Sequence, residues 1–328
     1  MYGVDRLKIV MPLCYVNVID DCVFKCNSMS GCILNMTYKQ KVPEYLSVKL
    51  DYENDEAIIE FTGKILGKRY PELIRLTNIR QCVENINAMG IIIIDKDAIM
   101  SAEVLKCDLT IDTEVYDISA LTRYIKNSLS NYDAYVSKPK RNGNLELEKN
   151  VDTAKCKKRL TIYDKEKEMN MSRNKKFLDK YFNGTNPFTN MCRFELNLYT
   201  MEAIRKALNI AKSTVRQVLL SARTQNPIRD FLLEALDENK TERMIPNLKA
   251  YMYDLILDDN ENDIEKVYHT IKGLVAKGTK VNRTIAPIRK RLETRDYAMV
   301  LFSKDKVLNL VTSETRLSQF DVFRASSV

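Results

Sequence analysis

Strict alternation of apolar and polar residues marks four segments of this chain. Lys106-Cys-Asp108-Leu-Thr-Ile-Asp112 places Cys107, Leu109 and Ile111 on one side and Asp108, Thr110 and Asp112 on the other. Asn144-Leu-Glu-Leu-Glu148 alternates in the same way. Arg159-Leu-Thr-Ile-Tyr163-Asp-Lys165 sets Leu160 and Ile162 against Thr161, Tyr163 and Lys165, and Cys192-Arg193-Phe-Glu195-Leu-Asn-Leu sets Phe194 and Leu196 against Arg193, Glu195 and Asn197. Four such strands predict a sheet with one covered face and one open face. The open face would gather Asp108, Asp112, Glu146, Glu148, Tyr163, Lys165, Arg193 and Glu195.

Shorter apolar runs upstream predict further strands at Leu7–Met11, Cys14–Ile19, Cys32–Met36, Tyr45–Leu50 and Ala57–Thr62. Residues 78–88 put Ile79, Cys82, Val83 and Ile86 on one helical face, with Asn78 as cap and Gly90 as stop. A helix over 117–129 would cover the back of the sheet. Beyond residue 200 the pattern turns helical: Met201–Leu208, a break at Asn209–Lys212, then a helix capped by Ser213. That pair has the length of a helix-turn-helix, and equally of an ordinary helical hairpin. The expected architecture is therefore α+β: an antiparallel sheet with helices on one face and an open face on the other, in residues 1–200. A mainly helical region follows in residues 201–328, serving DNA binding or oligomerisation.

Composition narrows the chemistry. The 328 residues hold 45% hydrophobic and 29% charged residues, as folded chains do. The single histidine, His269, leaves no pair for a histidine-based metal site, so any metal must rest on carboxylates or thiolates. Cys22, Cys26 and Cys32, with Cys14 upstream, match no common zinc spacing and read as reduced, buried thiols. No secretory leader or membrane span is evident, and the chain reads as cytoplasmic. Of the net charge of +8, residues 136–180 carry +7, from fourteen basic and seven acidic side chains. The run Lys155-Cys-Lys157-Lys158-Arg159 is its densest part, and a cluster of this kind suits a polyanion. An acidic stretch (Asp254–Glu265) and a second basic one (Lys277–Arg295) follow.

Tyr163-Asp-Lys165-Glu-Lys-Glu168 sits within the basic stretch. A phenol is mostly protonated at neutral pH. A lysine and a divalent cation beside it would favour the phenolate and neutralise a phosphate under attack. Asp108, Glu195 and Glu168 offer the oxygen donors that Mg²⁺ or Mn²⁺ prefers. This combination suits transesterification of a phosphodiester.

Three pieces in order, Lys106-Cys-Asp108-Leu-Thr110, Leu160-Thr-Ile-Tyr163-Asp-Lys165-Glu-Lys-Glu168 and Met191-Cys-Arg193-Phe-Glu195-Leu, resemble the rolling-circle replication initiators of the filamentous-phage gene II type and related plasmid and prophage proteins. Ile59-Glu-Phe-Thr-Gly-Lys64-Ile-Leu resembles an upstream element of that family. The resemblance spans about residues 55–200. It implies a Rep nuclease-like fold and a site-specific single-strand DNA endonuclease and strand transferase. By it, Tyr163 becomes linked to a 5′-phosphate and frees a 3′-hydroxyl, while Lys165 steadies the scissile phosphate. Asp108 and Glu195, with Glu168, hold the metal. Lys64, Lys157, Lys158, Arg159 and Arg193 are the expected DNA contacts. Implied partners are origin DNA, single-stranded or supercoiled, with a host helicase and polymerase in a bacterial cytoplasm, no membrane, and a homodimer as one assembly. A plasmid mobilisation relaxase and a non-catalytic DNA-binding regulator using residues 201–221 are the competing expectations.

Overall fold

The computed structural model describes residues 2–30, 32–40, 44–129, 135–139, 144–149, 157–236, 248–260, 263–274, 281–294 and 302–312. Lys140, Arg141, Lys155, Lys277, Lys280 and Arg295 of the two basic stretches lie outside them.

The strands are β1 (Gly3–Pro12), β2 (Val16–Val18), β3 (Lys25–Met29), β4 (Cys32–Gln40), β5 (Leu46–Asp51), β6 (Glu56–Thr62), β7 (Ile92–Ile94), β8 (Glu103–Glu114), β9 (Tyr135–Pro139), β10 (Leu145–Lys149), β11 (Lys158–Asp164) and β12 (Met191–Leu198). Ten form one antiparallel sheet in the order β3-β4-β5-β6-β1-β8-β12-β11-β10-β9, while β2 and β7 pair separately. The four alternating segments are thus neighbours, β8-β12-β11-β10, and β1 extends them. The predicted strand at Cys14–Ile19 is only partly one. Leu13–Tyr15 is a 3-10 turn, and just Val16–Val18 pairs, in the smaller sheet.

Alternation puts Leu7, Ile9, Leu109, Ile111, Leu147, Leu160, Ile162, Phe194 and Leu196 into one continuous core. The helices α1 (Ile79–Asn87), α2 (Ile118–Asn127), α5 (Met201–Leu208), α6 (Val215–Ser221), α7 (Pro227–Ala235) and α11 (Lys304–Thr312) bury their apolar stripes in that core. Asp117, Thr200 and Asn226 cap α2, α5 and α7 with side-chain oxygens on backbone N–H groups. Thr214, not Ser213, caps α6; Ser213 is buried instead. Asn78 precedes α1 but turns its side chain back to Arg75 N and Leu73 O.

The break expected at residue 200 therefore runs through a single core: α5, α6, α7 and α11 share it with the sheet. The helical pair at 201–221 buries Ala203, Ile204, Leu208, Val215, Val218 and Leu219 there, as a hairpin on a sheet does. A second cluster joins α8 (Leu248–Asp259), α9 (Ile264–Leu274) and α10 (Val281–Thr294) around Leu257, Val267, Ile271, Ile285 and Ile288. Among the described residues no helix is long and apolar enough to cross a membrane.

The polar face is not uniformly open. The 3-10 segment Gly63–Glu72 and the helices α3 (Lys165–Met169) and α4 (Lys175–Phe182) fold over its Tyr163 end. Tyr70, Met169, Phe177, Leu178 and Phe188 form a small apolar cluster there. Gly67 makes the fold possible. Its φ is +59°, and a Cβ at that position would lie 2.7 Å from the Tyr181 ring.

Candidate active site

Register lines the polar side chains into transverse rows. Tyr163 of β11 is opposite Arg193 of β12, which is opposite Asp112 of β8. The next row is Thr161, Glu195 and Thr110, and the third is Arg159, Asn197, Asp108 and, on β1, Arg6. A bulge in β1 between Val4 and Arg6 turns both Asp5 and Arg6 toward this face. Alternation alone would send Asp5 the other way, which is why pattern reading misses it.

Arg193 is fully buried, with 0% side-chain exposure. Nε and Nη2 donate to the two Asp112 oxygens at 2.7 Å each, and Nη1 reaches the Tyr70 hydroxyl at 3.1 Å and Asp5 at 3.2 Å. A DNA contact was expected of it, but all three of its nitrogens are engaged inside the protein, in a fully buried position. It braces Asp112 and Asp5.

Lys165 lies one residue beyond the end of β11, as the first residue of α3, and so is not on the strand with Tyr163. Asp164 caps that helix through Lys167 N. The Lys165 ammonium is buried, donating to Tyr70 at 2.8 Å and to Glu168 at 2.7 Å, and lies 5.9 Å from the Tyr163 ring centre. Burial and Arg193 oppose its charge, but Tyr70 and Glu168 outweigh them and raise its pKa. Glu168 shows the converse. Burial works against its ionisation, and Lys165 nonetheless holds it far below the ordinary carboxylate range. Arg173 and Asn174 occupy its other oxygen. Lys64 is also drawn in: it donates to Asn174 Oδ1 at 2.7 Å and sits 5.5 Å over Phe177, with burial lowering its pKa.

Tyr163 is half-buried and donates to Glu195 Oε2 at 3.0 Å. Burial, then the Glu195 charge, pushes its pKa well above the usual phenol value. Glu195 also accepts from Asn197 Nδ2 at 2.8 Å. Asp108 is 4% exposed, its Oδ1 has no hydrogen-bond partner, and Oδ2 lies 3.5 Å from Arg6 Nε. Burial and then Glu195 push its pKa up to about 7.

Asp108 and Glu195, one row apart on adjacent strands, fit a divalent cation: two mutually repelling carboxylates, one with an orphaned buried oxygen, in a hard-oxygen setting. Glu168 does not complete the set expected from the sequence. Its oxygens are committed to Lys165, Arg173 and Asn174, and it forms no compact donor group with the other two. Among the described residues the one compact group of three possible donors is Asp20, Asp21 and Cys22, where the neighbouring Asp21 raises the thiol pKa. Cys14, Cys22, Cys26 and Cys32 are exposed, not buried as expected: Cys22, Cys26 and Cys32 lie on or beside the edge strand β3, and Cys14 lies in the 3-10 turn Leu13–Tyr15 that follows β1.

Of the remaining expected DNA contacts, Arg159 is on the polar face, 3.6 Å from Glu146, and the exposed Lys157 lies 3.5 Å from Glu148. Lys158 alternates to the helix-covered side, 5.5 Å over the Phe231 ring. No protein-family model, curated protein or solved structure matches the chain.

Proposed function

We propose that this protein nicks one strand of DNA at an origin by tyrosine transesterification, initiating rolling-circle replication. The observation that carries this reading is the Tyr163 hydroxyl donating to Glu195, one row from the under-coordinated Asp108 carboxyl. Tyr163 is the nucleophile: its oxygen bonds to phosphorus as its proton passes to Glu195, and the phosphorus–O3′ bond breaks. The 3′ oxygen leaves and takes a proton from solvent, giving a 5′-phosphotyrosyl link and a free 3′-hydroxyl. Asp108 and Glu195 would hold Mg²⁺ or Mn²⁺, which when bound supplies positive charge against the phosphate and favours the phenolate. Lys165 acts mainly by position. Two of its three N–H donors are fixed by Tyr70 and Glu168, so it sets the local charge and the turn after Tyr163.

The test is incubation with supercoiled DNA carrying the element's own origin and Mg²⁺ or Mn²⁺, followed by mapping of any adduct. Wild type should give a covalent adduct at Tyr163, absent with EDTA and absent in Tyr163→Phe, while DNA binding by that variant stays near normal. An adduct that persists in Tyr163→Phe sinks the assignment.

A further inference from the structure

Three rows from Tyr163 the polar face changes character. Lys8 of β1 and Lys106 of β8 are direct cross-strand partners. Like charges so placed repel. Glu60 is opposite Lys8 on the other side, but it turns to Arg6 at 3.7 Å. Among the described residues neither Lys8 nor Lys106 forms an ion pair. An anion laid between them would remove the repulsion.

Tyrosines flank this pair. Tyr199 has the Lys106 ammonium 5.2 Å and the Arg159 guanidinium 5.4 Å from its ring centre. Tyr45 has Arg6 at 5.5 Å and Lys39 at 6.0 Å. Both rings are half-buried, so each keeps an accessible part. Register sets the cations on one line: Lys39 opposite Ser47, Ser47 opposite Glu60, Glu60 opposite Lys8, Lys8 opposite Lys106. Tyr45, two residues before Ser47, borders that line one row nearer Tyr163, level with Arg6. Tyr199 follows Leu198, the partner of Cys107, and so stands level with Lys106. Five inter-strand steps make the line about 24 Å long. Along β11, its level is six residues from Tyr163, about 20 Å.

We propose that this line is a track for single-stranded nucleic acid, with phosphates on Lys8 and Lys106 and bases stacked on Tyr199 and Tyr45. The proposal rests on the reading of Tyr163 as a nicking nucleophile, and it makes the line the holder of the strand flanking the cut. Cations interleaved with aromatic rings are what an unpaired strand requires, because its bases are free to stack. A duplex would use the cations alone.

The experiment is fluorescence anisotropy of a labelled fifteen-nucleotide oligothymidylate, and of a duplex of equal length, with the full chain over a salt series. The single strand should bind more tightly than the duplex. Lys8→Ala with Lys106→Ala should flatten the slope of log affinity against log salt by about 1.4, for two phosphates on a single strand. Tyr199→Leu should weaken single-strand binding by about 5- to 150-fold and leave the salt slope unchanged. Lys8→Arg with Lys106→Arg should keep the wild-type slope, which separates lost charge from a damaged sheet. Equal affinity for the duplex, or an unchanged slope in the alanine pair together with unchanged affinity in Tyr199→Leu, overturns the track. Adduct formation is scored separately in wild type. Track binding without any adduct would retain this inference and remove the nicking reading, and an adduct with binding indifferent to these variants would do the reverse.

Discussion

Replacing Arg193 with methionine distinguishes a structural brace from a DNA contact. The guanidinium is at 0% exposure and makes two 2.7 Å bonds to Asp112, one of 3.1 Å to Tyr70 and one of 3.2 Å to Asp5. Methionine retains much of the bulk and removes the charge, leaving Asp112 and Asp5 facing each other with their shared cation gone. Breaking a buried ion pair by deleting one partner costs about 3–5 kcal/mol. Counted separately, two charge-assisted bonds at about 1.5–3 kcal/mol each give about the same range. Urea unfolding followed by circular dichroism should show that loss. Arg193→Lys should fall between, since an ammonium keeps the charge but cannot make the paired bonds to Asp112. Lys206→Ala, at an exposed i,i+4 pair with Glu202, serves as control and should change stability by about 0.5 kcal/mol or less. A loss below about 1 kcal/mol in Arg193→Met refutes the brace. Reduced DNA affinity at unchanged stability would return Arg193 to the phosphate contacts.

Three further outcomes follow from the same geometry. Asp108, pushed up from 3.8 to about 7, keeps its proton on folding where the unfolded chain releases it. Metal-free protein should therefore lose stability as pH rises from about 4 to about 7, by an amount on the order of 2–4 kcal/mol. Asp108→Asn should abolish that slope in melts at pH 5 and pH 8 in EDTA, and a pH-independent difference from wild type contradicts the reasoning. Tyr70→Phe removes the oxygen that accepts from both Lys165 and Arg193 and should cost about 1–3 kcal/mol, measured by denaturant unfolding. Gly67→Ala forces a Cβ onto the Tyr181 ring at φ +59° and should destabilise by about 1–3 kcal/mol in a thermal melt; a neutral result would mean the roof segment yields easily.

Much of the sheet was legible because strand alternation is local. Asp108, Glu195 and Tyr163 could be placed on one face from period two alone, and the register then set them on neighbouring strands in adjacent rows. The helices over the back were readable for a similar reason, since stripes such as Ile79, Cys82, Val83 and Ile86 repeat within a few residues. What covers the other face was not legible. The bonds that roof it join Tyr70 to Lys165 and Arg193, and Lys64 to Asn174, across 95, 123 and 110 residues. No local period encodes such pairings. The roof converts Arg193, Lys165 and Lys64 from surface cations into a buried network, because a cation deprived of water must find carboxylates and hydroxyls instead. The bulge that aims Asp5 at Arg193 shifts the alternation by one residue and can be seen only against the partner strand. The sequence by itself therefore determined that Asp108, Asp112, Tyr163, Arg193 and Glu195 share the polar face, though not that Asp5 joins them. Only the tertiary structure decided which of them are sealed in and which still meet solvent, because burial depends on what segments distant in the chain place on top.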